Sequence, residues 1–172
     1  DNTPIFVGWN LSASGTTNNA SYNKTTNKLT LTSSTNNKTW YAITKNSDIS
    51  LTGKVNANGA TLSSTSDIGC TIAATYNGNA QATSCYAKMP TITAPSTTPK
   101  VVGWNTDANA TTNDSSYSTS TGNLTLTSSN TGKTWYAITK KIAVTLTATA
   151  NTNGSGLSGS TTPTCTIAES YN

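Results

Sequence analysis

The residues with the greatest chemical capacity in this 172-residue chain are three cysteines, six carboxylates and ten basic residues, all of them Lys; histidine is absent. Cys70 and Cys85 flank a segment centred on Asn77-Gly78. A two-residue type I′ turn at Asn77-Gly78 pairs residues whose numbers sum to 155, as Cys70 and Cys85 do. That register brings the two within the Cα separation a disulfide tolerates. The spacing therefore predicts a Cys70–Cys85 bond and an oxidising, extracellular setting; two reduced thiols in a cytosolic protein are the alternative. With no His and no third Cys nearby, a metal site is not expected, nor any cofactor.

The third cysteine, Cys165, is explained by an internal repeat. Residues 1–77 align without a gap on 96–172 at a constant offset of 95, with about half of the positions identical. Gly8-Trp9-Asn10 recurs as Gly103-Trp104-Asn105, and Leu29 to Ser34 as Leu124 to Ser129. Lys38 to Lys45 recurs as Lys133 to Lys140, and Cys70 to Ala73 as Cys165 to Ala168, with Tyr-Asn following in both copies. Cys165 is thus the image of Cys70, and its expected disulfide partner falls eight residues beyond residue 172.

A site shared by every repeat requires side chains that recur. The acids Asp1, Asp48, Asp67, Asp107, Asp114 and Glu169 do not: Asp48 aligns with Ala143, Asp107 with Ser12 and Glu169 with Ala74. Neither catalysis nor calcium binding is therefore expected, and no catalytic residue is assigned. Lys38/Lys133 and Lys45/Lys140 recur, but without a recurring acid to assist an isopeptide cross-link, and read as solvated strand ends. Trp9/Trp104 and Trp40/Trp135 with Tyr22/Tyr117 have the makings of a sugar-stacking platform, yet they border apolar strands and read better as core. The row Thr145, Thr147, Thr149 has the image Ser50, Thr52, Lys54, and the lysine spoils a flat ice-binding face. Eight Asn-x-Ser/Thr sequons, among them Asn10, Asn23 and Asn109, largely reflect composition.

The elements that must position these residues are β-strands. Thr occupies 38 positions, charged residues only 9%, and no Ala/Leu/Glu/Lys run supports a long helix. Strands are expected at Lys28 to Thr32, around Ile49, Leu51 and Val55, and around Val144, Leu146 and Ala148. Turns are expected at Asn58-Gly59, Asn77-Gly78, Gly122-Asn123, Thr131-Gly132 and Asn153-Gly154. Pro90, Pro95 and Pro99 make Met89 to Lys100 extended rather than helical or centrally paired. A hydrophobic fraction of 33% supports only thin two-layer modules, while four Trp and seven Tyr argue for packing over disorder. A net charge of +4 without clustering does not suit a nucleic-acid partner. No apolar run is long enough for membrane insertion and no signal peptide stands at the start, so the sequence reads as an internal or processed piece of a longer protein.

The repeat resembles the Listeria–Bacteroides (internalin B-type) repeat of bacterial cell-surface proteins. The matching stretches are Val144 to Gly154, the Pro-punctuated Thr91 to Pro99, Phe6-Val7-Gly8-Trp9 with Val101-Val102-Gly103-Trp104, and Leu29-Thr30-Leu31 followed by Trp40-Tyr41-Ala42. The Cys70–Cys85 hairpin, Thr44 in place of the family's final Trp, and the length of the repeat depart from its pattern. The resemblance implies all-β, β-grasp-like modules in one frame: 1–46 as the C-terminal part of a module, 47–141 as a complete one, and 142–172 as the start of the next. It also implies a secreted or cell-surface repeat region acting as adhesin or stalk, with neighbouring modules, copies of itself, or host glycans or proteins as partners. An extracellular fibre, in which half-modules of neighbouring chains complete each other, is the second expectation. The ligand is not legible.

Overall fold

The computed structural model describes residues 4–151, 153–156 and 158–172 and is all-β. In chain order the strands are β1 (Ile5–Asn10), β2 (Tyr22–Asn23), β3 (Lys28–Leu29), β4 (Tyr41–Lys45) and β5 (Ile49–Asn56). There follow β6 (Thr61–Leu62), β7 (Ile68–Ile72), β8 (Ser84–Lys88), β9 (Ile92–Thr93), β10 (Lys100–Asn105) and β11 (Tyr117–Ser118). The last are β12 (Asn123–Thr127), β13 (Thr134–Lys141), β14 (Val144–Thr147), β15 (Thr164–Ile167) and β16 (Ser170–Tyr171). The chain divides into two compact units. Unit 1 comprises residues up to Leu51, Cys70–Cys85 and Thr127–Ser129; unit 2 comprises Thr52–Gly69, Tyr86–Leu126 and Asn130–Asn172.

Unit 1 is built on the antiparallel pair β1–β4 and the short pair β2–β3. In β1 the register slips between Phe6 and Gly8, a bulge that frees the Trp9 amide from the ladder. Asn18 fills the gap: its Oδ1 accepts the Trp9 N–H at 3.1 Å, and its Nδ2 donates to the Tyr22 carbonyl at 2.9 Å. Only glycine suits the bulge, because a Cβ on Gly8 would lie 2.0 Å from Asn18 Oδ1. Farther along the chain, Asn77 docks on the end of β4. Its N–H donates to the Thr44 carbonyl at 2.9 Å, its Oδ1 accepts the Thr44 N–H at 3.3 Å, and its Nδ2 donates to Ala13 O at 3.0 Å.

Unit 2 contains the same devices, each displaced by 95 residues. β10 pairs with β13 with a slip between Val101 and Gly103, and Asn113 Oδ1 accepts the Trp104 N–H at 3.1 Å while Nδ2 donates to Tyr117 O at 2.9 Å. Asn172 docks on β13 as Asn77 does on β4: its N–H donates to Thr139 O at 3.2 Å, its Oδ1 accepts the Thr139 N–H at 2.7 Å, and its Nδ2 donates to Ala108 O at 3.2 Å. Unit 2 also adds strands to each sheet. β5 joins β13 in parallel register, Thr134↔Lys54 to Tyr136↔Asn56, within the order β10-β13-β5-β7, and β8 completes the order β11-β12-β8.

The five expected turns all carry a glycine at positive φ, and at Asn58-Gly59, Asn77-Gly78 and Asn153-Gly154 the asparagine is left-handed as well. Asn79 N–H closes the turn at Asn77-Gly78 by donating to Tyr76 O at 3.1 Å. Cys70 and Cys85 form a disulfide with a Cα separation of 5.9 Å. The surrounding geometry differs from the expected hairpin, however. β7 pairs with β5 and β8 with β12, and Tyr76 bridges to Lys45, so the bond links strands of two sheets rather than opposite rungs of one. Sheet partners supplied by distant sequence outcompete the local ladder. The strand expected over Lys28 to Thr32 is only Lys28–Leu29, whereas its image β12 runs the full five residues beside β8. The proline segment is interrupted by β9, which pairs with β6, and by a turn closed by Thr98 N–H on Pro95 O at 3.1 Å.

Two stability predictions follow from these contacts. Replacing both Cys70 and Cys85 by Ser releases a loop of 15 residues and lowers the unfolding free energy by about 3 kcal/mol in urea titrations. Asn113→Ala strands the part-buried Trp104 amide and Tyr117 carbonyl and costs about 1–3 kcal/mol in the same measurement.

Candidate functional site

A concavity walled by aromatic side chains lies in unit 1. It is about 260 Å³ and is lined by Trp9, Tyr22, Asn27, Leu29 and Trp40. The β1 bulge and the Asn18 clamp set Trp9, the β2–β3 pair aligns Tyr22 opposite Leu29, and Trp40 leads into β4. Phe6 meets both Trp9 and Tyr22 edge-to-face, with ring centroids 6.2 Å apart in each case. The Tyr22 hydroxyl donates to Asn27 Oδ1 at 2.5 Å, so the polar handle in the groove is already engaged. Leu29 lines the groove, and Leu31, two residues further along the chain, is 63% exposed.

In unit 2 the image of this groove is solid core. Trp104, Leu124 and Leu126 are fully buried and Trp135 is 1% exposed. The Trp135 ring is seated against backbone: a Cβ on Gly53 would come within 3.2 Å of its Cδ1 and Nε1. Trp9 and Trp40 are only half-buried. The same two tryptophan positions thus belong to the core in unit 2 and line an open groove in unit 1.

The remaining sequence candidates are dispersed. Asp107 Oδ1 accepts the Asn109 N–H at 2.9 Å and Asp114 Oδ1 the Ser116 N–H at 2.8 Å, both local backbone ties, while Asp48 Oδ1 accepts the N–H of Ala74, 26 residues away, at 2.6 Å. Asp67 is distant from them in sequence, and Asp1 lies outside the described residues. Among the described residues no three His, Cys, Asp or Glu side chains gather as metal ligands would. Cys165 is a free, exposed thiol on β15, opposite Leu146 of β14, and Thr145 meets Thr166 across the same pair at 3.4 Å.

One ionic cluster has no counterpart in unit 1. Glu169 Oε2 accepts from Lys140 Nζ at 2.6 Å and its Oε1 accepts from the Tyr171 hydroxyl at 2.6 Å, while Lys140 sits 5.5 Å above the Tyr171 ring. These two hydrogen bonds hold the Glu169 carboxyl below the usual carboxylate range, the Lys140 bond being the larger cause. The same contact raises Lys140, and the hydrogen bond to Glu169 raises Tyr171. The cluster is solvated and screened, so it tunes ionisation more than it stabilises the fold.

Sequence reasoning overlooked Asn18 and Asn113 and took Asn77 only as a turn residue, although Asn18/Asn113 and Asn77/Asn172 recur at the same offset. In a chain this rich in Asn, identity alone does not separate a structural clamp from a turn residue. No protein-family model, curated protein or solved structure matches this chain.

In an NMR titration the Glu169 carboxyl will titrate below an unfolded-chain Glu, and Lys140→Ala will move it back upward. Because its folded pKa is depressed, its contribution is present above the ordinary Glu range and fades as pH falls through the lowered value. The raised Lys140 gives the opposite limb: its contribution holds below the ordinary Lys range and is lost as pH rises beyond it.

Proposed function

We propose that this chain is a non-catalytic, tandem-repeat region of a secreted or cell-surface protein, acting as a stalk or adhesin module with a period of about 95 residues. The observation that carries the reading is the recurrence, at one offset, of whole hydrogen-bonded devices: the Gly-Trp bulge with its Asn clamp, and the Tyr-Asn dock on the following strand. Selection for a solvent-facing binding site does not require backbone plumbing to repeat. A modular support does, because each unit must fold with the same internal geometry.

Three further features support the reading. The Cys70–Cys85 disulfide suits an oxidising, extracellular setting. The tryptophans Trp104 and Trp135, images of the groove residues Trp9 and Trp40, are core in unit 2, which favours the stalk role over glycan contact. The likeness to Listeria–Bacteroides repeats points to the same kind of surface protein, with neighbouring repeats as the first partners.

The test is to display one, two and three periods on a cell between an anchor and a tip epitope, and to pass the same arrays over a glycan array. Epitope accessibility to a bulky antibody is expected to rise with repeat number, with no glycan retained. Accessibility independent of repeat number overturns the stalk role. Saturable retention of one glycan class moves the reading to an adhesin.

A further inference from the structure

We propose that the Trp9–Leu31–Trp40 face of unit 1 is an acceptor for a donor segment equivalent to residues 47–95, supplied by a preceding repeat, whose strand of the Ser84–Met89 type lies along residues 28–32. The inference rests on the tandem-repeat reading and adds to it the identity of the partner and the place where it docks.

The argument is a comparison of each strand with its image. β2–β3 and β1–β4 are two-stranded in unit 1. Of their images, β11–β12 is joined by β8, and β10–β13 is joined by β5 and, at the end of β13, by β16. Side-chain burial follows the same division. Leu29 is 38% and Leu31 63% exposed, whereas Leu124 and Leu126 are fully buried; Ala42 is exposed, whereas Ala137 is not. On the donor side, Ala87 of β8 is 1% exposed and Met89 5%. The Met89 N–H donates to Gly122 O at 3.0 Å, and Lys88 Nζ donates to Thr121 O, so the donor strand is also held by backbone acceptors. The equivalent acceptors in unit 1 are Asn27 and Thr26. Asn27 has φ 54° against 69° for Gly122, so the turn conformation that presents that carbonyl is kept. A Cβ at Gly122 would approach only the flexible end of Lys88, at 2.8 Å, so asparagine in its place displaces an ammonium and no backbone.

Other occupants fit this face less well. A sugar needs convergent polar groups, yet Asn27 Oδ1 already accepts from Tyr22, and the flanking Leu29 and Leu31 offer none. An extended strand supplies both what the edge lacks: ladder hydrogen bonds and alternate apolar side chains. Covalent spacing also agrees. Residue 96 is the image of residue 1, so a copy of 47–95 placed directly ahead of residue 1 reproduces the connection between residues 95 and 96.

The experiment joins a second copy of residues 47–95 to the front of the full 172-residue chain. Trp104 and Trp135 are already buried, so a change in tryptophan quenching by acrylamide reports Trp9 and Trp40. Quenching of that exposed fraction is expected to fall at least twofold, and amide exchange at Leu29 to Thr32 to slow by at least tenfold. Leu31→Glu in the extended chain is expected to abolish both effects; in the 172-residue chain, where Leu31 is exposed, the same change leaves folding intact. If the added segment leaves quenching and exchange unaltered, or if Leu31→Glu does not reverse the protection, the proposal is overturned. An oligosaccharide that perturbs Trp9 and Trp40 in the 172-residue chain, and does so equally in the extended one, also overturns it. These readouts are local to residues 9–40 and independent of epitope accessibility, so failure here is distinguishable from failure of the stalk role.

Discussion

Burial of the indole rings is the constraint on which the rest of this protein depends. With 33% hydrophobic residues and one Phe, the chain has few other large apolar side chains to exclude water. An aromatic ring buries roughly 150–250 Å², on the order of 4–6 kcal/mol at about 25 cal/mol per Å². Trp104 and Trp135 both reach that burial, Trp135 by close approach to backbone at Gly53. It carries a cost. The indole N–H groups of Trp40, Trp104 and Trp135 are buried without a hydrogen-bond acceptor, an unfavourable contribution of about 1–3 kcal/mol each. The transfer of ring area out of water outweighs that loss, which is why the rings are retained in a chain so poor in aliphatics.

Asparagine does the complementary work. In a chain with only 9% charged residues, backbone groups displaced by bulges and loop ends take neutral side-chain partners, and a carboxamide offers one acceptor and two donors in fixed geometry. Asn18 and Asn113 substitute for a missing ladder rung, Asn77 and Asn172 tie a later segment to a completed strand, and Asn10 and Asn105 close the loop after each bulge. Glycine at the bulge and asparagine opposite it are therefore a single device, and neither is replaceable alone. The disulfide reinforces the same plan by joining strands of two sheets.

Much of this was legible in the sequence, and for identifiable reasons. The β class followed from Thr alternation, and the turns followed from Asn-Gly pairs, because left-handed φ is a local property of those residues. The Cys70–Cys85 pair was found by a register argument whose ladder the structure does not contain. The bond forms because β7 and β8, although in different sheets, still bring these two Cα atoms to 5.9 Å. Lys28 to Thr32 was read as a full strand, yet it shortens where no third strand lies beside it. Local alternation measures the capacity to be a strand; occupancy depends on a neighbour.

By itself the sequence determined the strand and turn vocabulary and which residues recur at an offset of 95, since these reside in residue identity and spacing. Tertiary structure alone decided which copy of a residue is core. Leu31 and Leu126 sit in identical Leu-Thr-Leu-Thr-Ser-Ser contexts, yet one is 63% exposed and the other fully buried. The physical reason is that burial belongs to the pair of surfaces in contact. It is set by strands 30 or more residues away in the chain, and no local pattern encodes whether that second surface is there.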